Sequence, residues 1–265
     1  MSPETIPEPA RAPVPGIWLD TDLALGAPAG DVDDGFALAA AVLAARQGAT
    51  RLLGVSAVSG NMDGVTAHRA IRSLLEVLGS EAPAVSESDA PAALLRLPKG
   101  ASVVAIGPPS NLVRAARQDP GFPGRVEVRV VGRVLRRLRH PVLPFLDLNF
   151  RTDPVATRAF WALPWRAVRV FPLDVVRDLR CEGRDLEWLE ATGVAGAYLA
   201  RHSRRWLRRA RFVHLARSFP IWDLPAALDA VGLLPGSVWG EGQPAWLRRL
   251  DVARARKAFF GLFAA

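Results

Sequence analysis

From residue 16 onward, short apolar runs alternate with longer alanine- and leucine-rich ones. That alternation leaves a chain like this few folds. Gly16–Thr21, Arg51–Val58, Ser102–Ile106, Val126–Val131 and Ala167–Phe171 read as strands. Asp33–Gln47, Val65–Leu78 and Pro109–Arg117 read as the helices between them. Thr152-Asp153-Pro154 supplies a cap residue and an early-turn proline for a further helix through Trp161. Strands that are apolar throughout are buried on both faces, and a helix between two strands makes a parallel crossover. The pattern predicts an α/β fold: one mostly parallel central sheet flanked by helices, in a single domain over 16–265. Residues 1–15, rich in proline, read as a flexible tail. Beyond Gly183 the pattern reads as helical, with a helix from Trp222 or Asp223 to Val231. The apolar end, Ala258–Ala265, fits either a docking segment or a core helix.

Composition excludes several classes. A chain of 265 residues that is 50% hydrophobic is too apolar for intrinsic disorder. Its longest apolar run, Phe36 to Ala45, is too short to span a bilayer. The N-terminus lacks the basic and apolar regions of a secretory signal. A single cysteine, Cys181, cannot form an internal disulfide, which fits a cytoplasmic protein. The formal charge of +8 comes from arginine, since Lys99 and Lys257 are the only lysines. Solvated arginines account for that charge without nucleic acid, because no nucleic-acid motif accompanies it. The arginine clusters at 133–139 and 201–211 also suit an anionic ligand.

In open α/β sheets, ligands bind beyond the carboxyl ends of the strands. Those ends hold acids and amides here. The first strand ends in Asp20-Thr21-Asp22, and the next helix opens on Asp33-Asp34. The second strand runs into Ser59-Gly60-Asn61, and the strand ending at Ile106 runs into Pro109-Ser110-Asn111. Asp147-Leu148-Asn149 and Trp222-Asp223 follow. Singly these residues suit turns, caps and helix N-termini. Jointly they form a set of carboxylates that repel one another unless a cation neutralises them. Hard oxygen donors suit Ca²⁺ or Mg²⁺, not zinc.

Leu19-Asp20-Thr21-Asp22, followed by Asp33-Asp34-Gly35-Phe36-Ala37-Leu38, resembles the N-terminal signature of the nucleoside hydrolases of the inosine–uridine-preferring type. Val58-Ser59-Gly60-Asn61 and Ile106-Gly107-Pro108-Pro109-Ser110-Asn111-Leu112 are similar to that family's second and third motifs. Asp147-Leu148-Asn149-Phe150, with Asp153-Pro154, resembles its ribose-binding segment. The resemblance implies a Rossmann-like, nucleoside-hydrolase-like domain. It further implies calcium-dependent hydrolysis of the N-glycosidic bond of a ribonucleoside, giving ribose and free base. On that footing Asp22 is calcium ligand and water-activating base, and Asn61 joins it in the catalytic set. Asp34 and Asp223 ligate the metal by side chain, and Ser110 by its main-chain carbonyl. Asp33, Asn61, Asp147 and Asn149 hold ribose hydroxyls, and Asp20 supports them from behind. The family is often dimeric or tetrameric, so a homo-oligomer is expected.

Three departures stand out. The stretch Leu23–Val32 is longer than the family's loop between its two acid pairs. The family's His-Gly segment after the second helix is missing. Trp222 stands where the family has a histidine. Tryptophan cannot protonate a leaving base; it either stacks on a purine or packs in the core. Any of the four histidines, His68, His140, His202 and His214, could be proposed as a replacement acid, with His214 nearest in sequence, but a lone histidine is more often structural or solvated. Two other readings compete. An Asp-x-Asp phosphatase would need a lysine near the acids, and Lys99 and Lys257 lie away from them in sequence. A catalytically silent member would bind a ribosyl ligand without turning it over.

Overall fold

A computed structural model of the chain describes residues 16–27, 30–135, 147–213, 217–234 and 236–264. In chain order the elements are β1 (Gly16–Thr21), α1 (Asp33–Arg46), β2 (Arg51–Ala57), α2 (Gly64–Val77), β3 (Ala84–Val85), α3 (Ala90–Leu95), β4 (Ser102–Ala105) and α4 (Ser110–Gln118). They continue with β5 (Glu127–Val131), α5 (Leu148–Arg151), α6 (Pro154–Ala162), β6 (Ala167–Phe171), α7 (Leu173–Val176), β7 (Arg180–Glu182) and α8 (Gly183–Glu190). The last are α9 (Val194–Val213), β8 (Ser218–Pro220), α10 (Leu224–Ala230), β9 (Val238–Trp239), β10 (Ala245–Arg249) and α11 (Val252–Gly261).

The main sheet has eight strands in the order β3-β2-β1-β4-β5-β6-β10-β9. All pairings are parallel except β9 with β10. The chain winds outward from β1 through β2 to β3, then returns to the other side of β1 with β4. That reversal opens a crevice at the carboxyl ends of β1 and β4, the place where doubly wound sheets bind ligands. Each strand feeds two cores because successive side chains point to opposite faces. From β1, Ile17 and Leu19 join one apolar cluster and Trp18 the other. From β4, Val104 joins the first, while Val103 and Ala105 join the second.

α1 is apolar nearly all round, and Asp33 through Ala44 are buried, as suits a helix packed on every side. Its neighbour α10 is tied to the sheet by charge. Arg129 on β5 donates to Asp229 at 2.6 Å, and Arg169 on β6 donates to the same carboxylate at 2.7 Å. Both Arg129 and Asp229 are buried at this contact. This anchor fixes α10, whose N-terminus carries Asp223.

The chain beyond Gly183 is less helical than its pattern predicts. β9 and β10 close the sheet edge, and β7 pairs antiparallel with β8 in a separate ribbon. These strands are two to five residues long and partly exposed, too short to display a period of two. The C-terminal choice resolves toward a core helix. Phe259 and Leu262 are buried, and Phe259 packs against Phe36 with ring centroids 5.5 Å apart. No helix among the described residues is long and apolar enough to cross a membrane. The Pro-rich segment 1–15 lies outside the described residues.

Candidate active site

The site begins with the end of β1. Asp20 and Asp22 project to one face and Thr21 to the other, as alternation requires. Asp20 is enclosed and supported: Asn111 Nδ2 donates to its Oδ1 at 2.7 Å, and the Ser56 hydroxyl donates to the same oxygen. Burial raises its pKa to about 7 against the pull of those two bonds. Asn111 also donates to the Ala57 carbonyl at 2.8 Å and accepts from Arg114, so its amide is fully engaged beneath the site.

Asp22 is also fully buried. Its Oδ2 accepts from the Asn61 backbone N–H at 2.6 Å, and its Oδ1 has no hydrogen-bond partner among the described residues. Burial raises its pKa to about 7, only partly offset by the Asn61 N–H. Gly60 allows this close approach: a Cβ there would sit 2.0 Å from Asp22 Oδ2.

The opposite wall is the N-terminus of α1. Asp33 and Asp34 occupy its first turn, where the helix dipole favours negative charge. Thr21 Oγ1 donates to Asp34 Oδ1, tying the helix to β1. Asp223, at the N-terminus of α10, faces them. One carboxylate oxygen from each of Asp33, Asp34 and Asp223 falls within 4.8 Å of the others. All three are held well above the ordinary carboxylate range, first by burial and then by repulsion among neighbouring acids, or for Asp34 and Asp223 by Asp22.

Asp33, Asn61, Asp147, Asn149, Trp222 and Asp223 line a single cavity of about 50 Å³. Asp147, which burial also raises, accepts from the Arg133 backbone N–H at 3.0 Å. Asn149 Nδ2 donates to the Ile106 and Val131 carbonyls at 3.0 and 3.1 Å, stitching the ends of β4 and β5. With both amide hydrogens committed, only its carbonyl oxygen remains to receive a ligand hydroxyl. Trp222 is 8% exposed and joins the main core cluster while lining this cavity. Asp22 and Asp34 lie beside the cavity lining, linked to it by Asn61 and Asp33. The Ser110 hydroxyl turns away and donates to Asp153 at 2.8 Å.

One further acid lies in the cavity. Asp31 lines it, and Asp33 hydrogen-bonds to the Asp31 carboxylate. Sequence spacing gave no signal for Asp31, because it falls within the longer stretch before the acid pair. Of the described residues in that stretch, Leu23, Ala24, Leu25 and Val32 are buried. Of the histidines, His68 hydrogen-bonds the Ala84 carbonyl on α2's side of the sheet, and His202 lies on α9. His140 and His214 lie outside the described residues.

Comparison with solved structures bears on the fold. The chain is similar to a plant nucleoside hydrolase at 18% identity and a TM-score of 0.77, covering 96% of this chain and 100% of that one. The chain has the nucleoside hydrolase fold. The same fold relates it to the purine-preferring ribonucleoside hydrolase of Gardnerella vaginalis, at 16% identity and a TM-score of 0.74, covering 94% of this chain and 98% of that one. It also relates it to the type III effector protein XopQ, solved with adenosine diphosphate ribose, at 16% identity and a TM-score of 0.69. In that pair 96% of this chain and 94% of the other are covered. No protein-family model and no curated protein matches the sequence.

Proposed function

We propose that the chain hydrolyses the N-glycosidic bond of a ribonucleoside with the help of bound calcium. One observation carries the reading. The buried oxygens of Asp33, Asp34 and Asp223 converge within 4.8 Å, beside a cavity that also presents Asn61, Asp147 and Asn149. The donor set fits a hard divalent cation: every donor is oxygen, the carboxylates repel one another, and Asp22 Oδ1 lacks a partner among the described residues. Asp22, Asp34 and Asp223 would hold it, with Ser110 contributing a main-chain carbonyl. Such a cation supplies charge neutralisation, a grip on vicinal hydroxyls and a lowered pKa for water.

The chain's own residues do the rest. Asp22, fixed through Oδ2, has Oδ1 free to take a proton from an attacking water. Asp33, Asp147 and the Asn149 carbonyl accept from ribose hydroxyls, and Asn61 completes that set. Cleavage passes through an oxocarbenium-like state, and the surrounding carboxylates stabilise its positive charge. The cavity lined by Asp33, Asn61, Asp147 and Asn149 presents these groups to the sugar end of the substrate. Trp222 offers an aromatic wall, with no proton to give the leaving base. The likeness to nucleoside hydrolases supports this reading.

The test is base release from a panel of purine and pyrimidine ribonucleosides, followed by chromatography with calcium and with chelator. Chelator-sensitive release is expected. Calcium binding without release from any of them would favour the second reading, a ribosyl-ligand binder without turnover. The likeness to an effector solved with adenosine diphosphate ribose supports that alternative.

A further inference from the structure

A second cavity of opposite charge adjoins the acid cluster. It measures about 250 Å³. One wall is formed by Gly26, Ala27, Gly30 and Val32; the other is a face of α9. Arg201, Arg205 and Arg209 recur there every four residues and so share that face. Like charges at that spacing repel one another, and none of the three pairs with a carboxylate among the described residues. Arg204, off the stripe, does pair, with Glu190. Two aromatic residues complete the wall. His202 packs at a tilt against Tyr198 with ring centroids 4.4 Å apart, and the Trp206 ring lies 5.8 Å from the Arg209 guanidinium. Gly26, at φ +89°, admits the His202 ring: a Cβ there would sit 3.0 Å from Nδ1.

We propose that this cavity binds the phosphate of a phosphorylated ligand. Guanidinium groups present paired N–H donors that match phosphate oxygens, and an oxyanion relieves the repulsion along the stripe. The position gives the pocket its significance. Gly30 and Val32 line it, while Asp31 and Asp33 line the acid cavity, so alternate residues of one segment face the two sites. A phosphate held there lies against the back of the segment that presents the acids. The proposal concerns binding and does not require the acid cluster to be catalytic.

The experiment is calorimetry on the full chain in chelator, which prevents a cation from bridging phosphate to the acids. The probes are ADP, adenosine and inorganic pyrophosphate, against wild type and the double variant Arg201→Gln/Arg205→Gln, with circular dichroism to show that the variant is folded. ADP should bind wild type at least tenfold tighter than adenosine, and the double variant should lose at least tenfold. Added salt should weaken binding, because the arginines are exposed. Pyrophosphate binding as well as ADP supports a pocket for the anion alone; ADP binding much better supports a nucleotide. Adenosine matching ADP, or a folded double variant binding like wild type, would overturn the proposal. So would a single-stranded oligonucleotide that binds far tighter than ADP, which would make the stripe a nucleic-acid surface. Base release by wild type with calcium is measured separately, so failure of the hydrolase reading shows on its own.

Discussion

Replacing Asp22 by asparagine should abolish activity and yet stabilise the metal-free protein. The wild-type carboxyl is completely buried, one of its oxygens has no partner among the described residues, and burial lifts its pKa from 3.8 to about 7. A group whose pKa is raised on folding binds more protons in the native state than in the unfolded one. Stability is therefore complete below the unfolded value and falls as pH rises toward the folded value. At about 1.4 kcal/mol per pH unit, the ionised side chain costs the metal-free protein up to roughly 4 kcal/mol above pH 7. Asparagine is neutral at every pH, and its carbonyl can still accept from the Asn61 N–H. The variant's advantage should be near zero at pH 4 and grow to about 2–4 kcal/mol at pH 8, or roughly 5–10 °C in melting temperature. Thermal unfolding in chelator across that range measures it. Saturating calcium should shrink or reverse the gap, since only the wild type gains a full ligand set. A variant no more stable than wild type at pH 8, or a gap unchanged between pH 4 and 8, would refute this account of Asp22.

Three further substitutions probe the surroundings. Gly60→Ala places a methyl 2.0 Å from Asp22 Oδ2 and should weaken calcium binding and base release at least tenfold; a calcium titration checks it. Asp229→Ala leaves Arg129 buried without its carboxylate partner and should cost about 3–5 kcal/mol in denaturant unfolding. Trp222→Ala should reduce release of purines more than of pyrimidines, and equal loss on both would count against stacking on the base.

Much of the fold was legible because its core strands are short, mostly apolar runs set between helical ones. Ala167–Phe171 and Gly16–Thr21 are observed with the bounds their runs predict, and the first helices begin and end within a residue or two of expectation. The edge was not legible. β9 and β10 are short and partly exposed, so burial marks neither face clearly. Among site residues, Asp33 and Asp223 were visible as acids at helix starts next to strand ends, and the structure brings both together with Asp34. Asp31 was not, because its role depends on how residues 23–32 return to the sheet. Leu23 and Leu25 are drawn into the core, and that path carries Asp31 to the cavity. Asn111 was visible as a strand-end amide, but only the structure shows that its hydrogen bonds are spent beneath Asp20.

The energetics of the acids bear on what the site is for. Burial raises Asp20 and Asp22 each to about 7, so holding either one ionised costs the metal-free protein stability. Asp33, Asp34 and Asp223 add to the cost. Near neutral pH, therefore, the cluster must hold protons or a cation. A protonated cluster cannot provide the base that the proposed hydrolysis requires, because Asp22 must be ionised to accept a proton. A cation resolves the conflict: it offsets the repulsion among the acids and leaves Asp22 charged. Local hydrogen bonds satisfy these acids only in part: Asn111 and Ser56 donate to Asp20 and Thr21 to Asp34, while Asp20 Oδ2 and Asp22 Oδ1 have no partner among the described residues. The gathering of six acids, Asp31 of the longer 23–32 stretch among them, is explained by a ligand that offsets their repulsion.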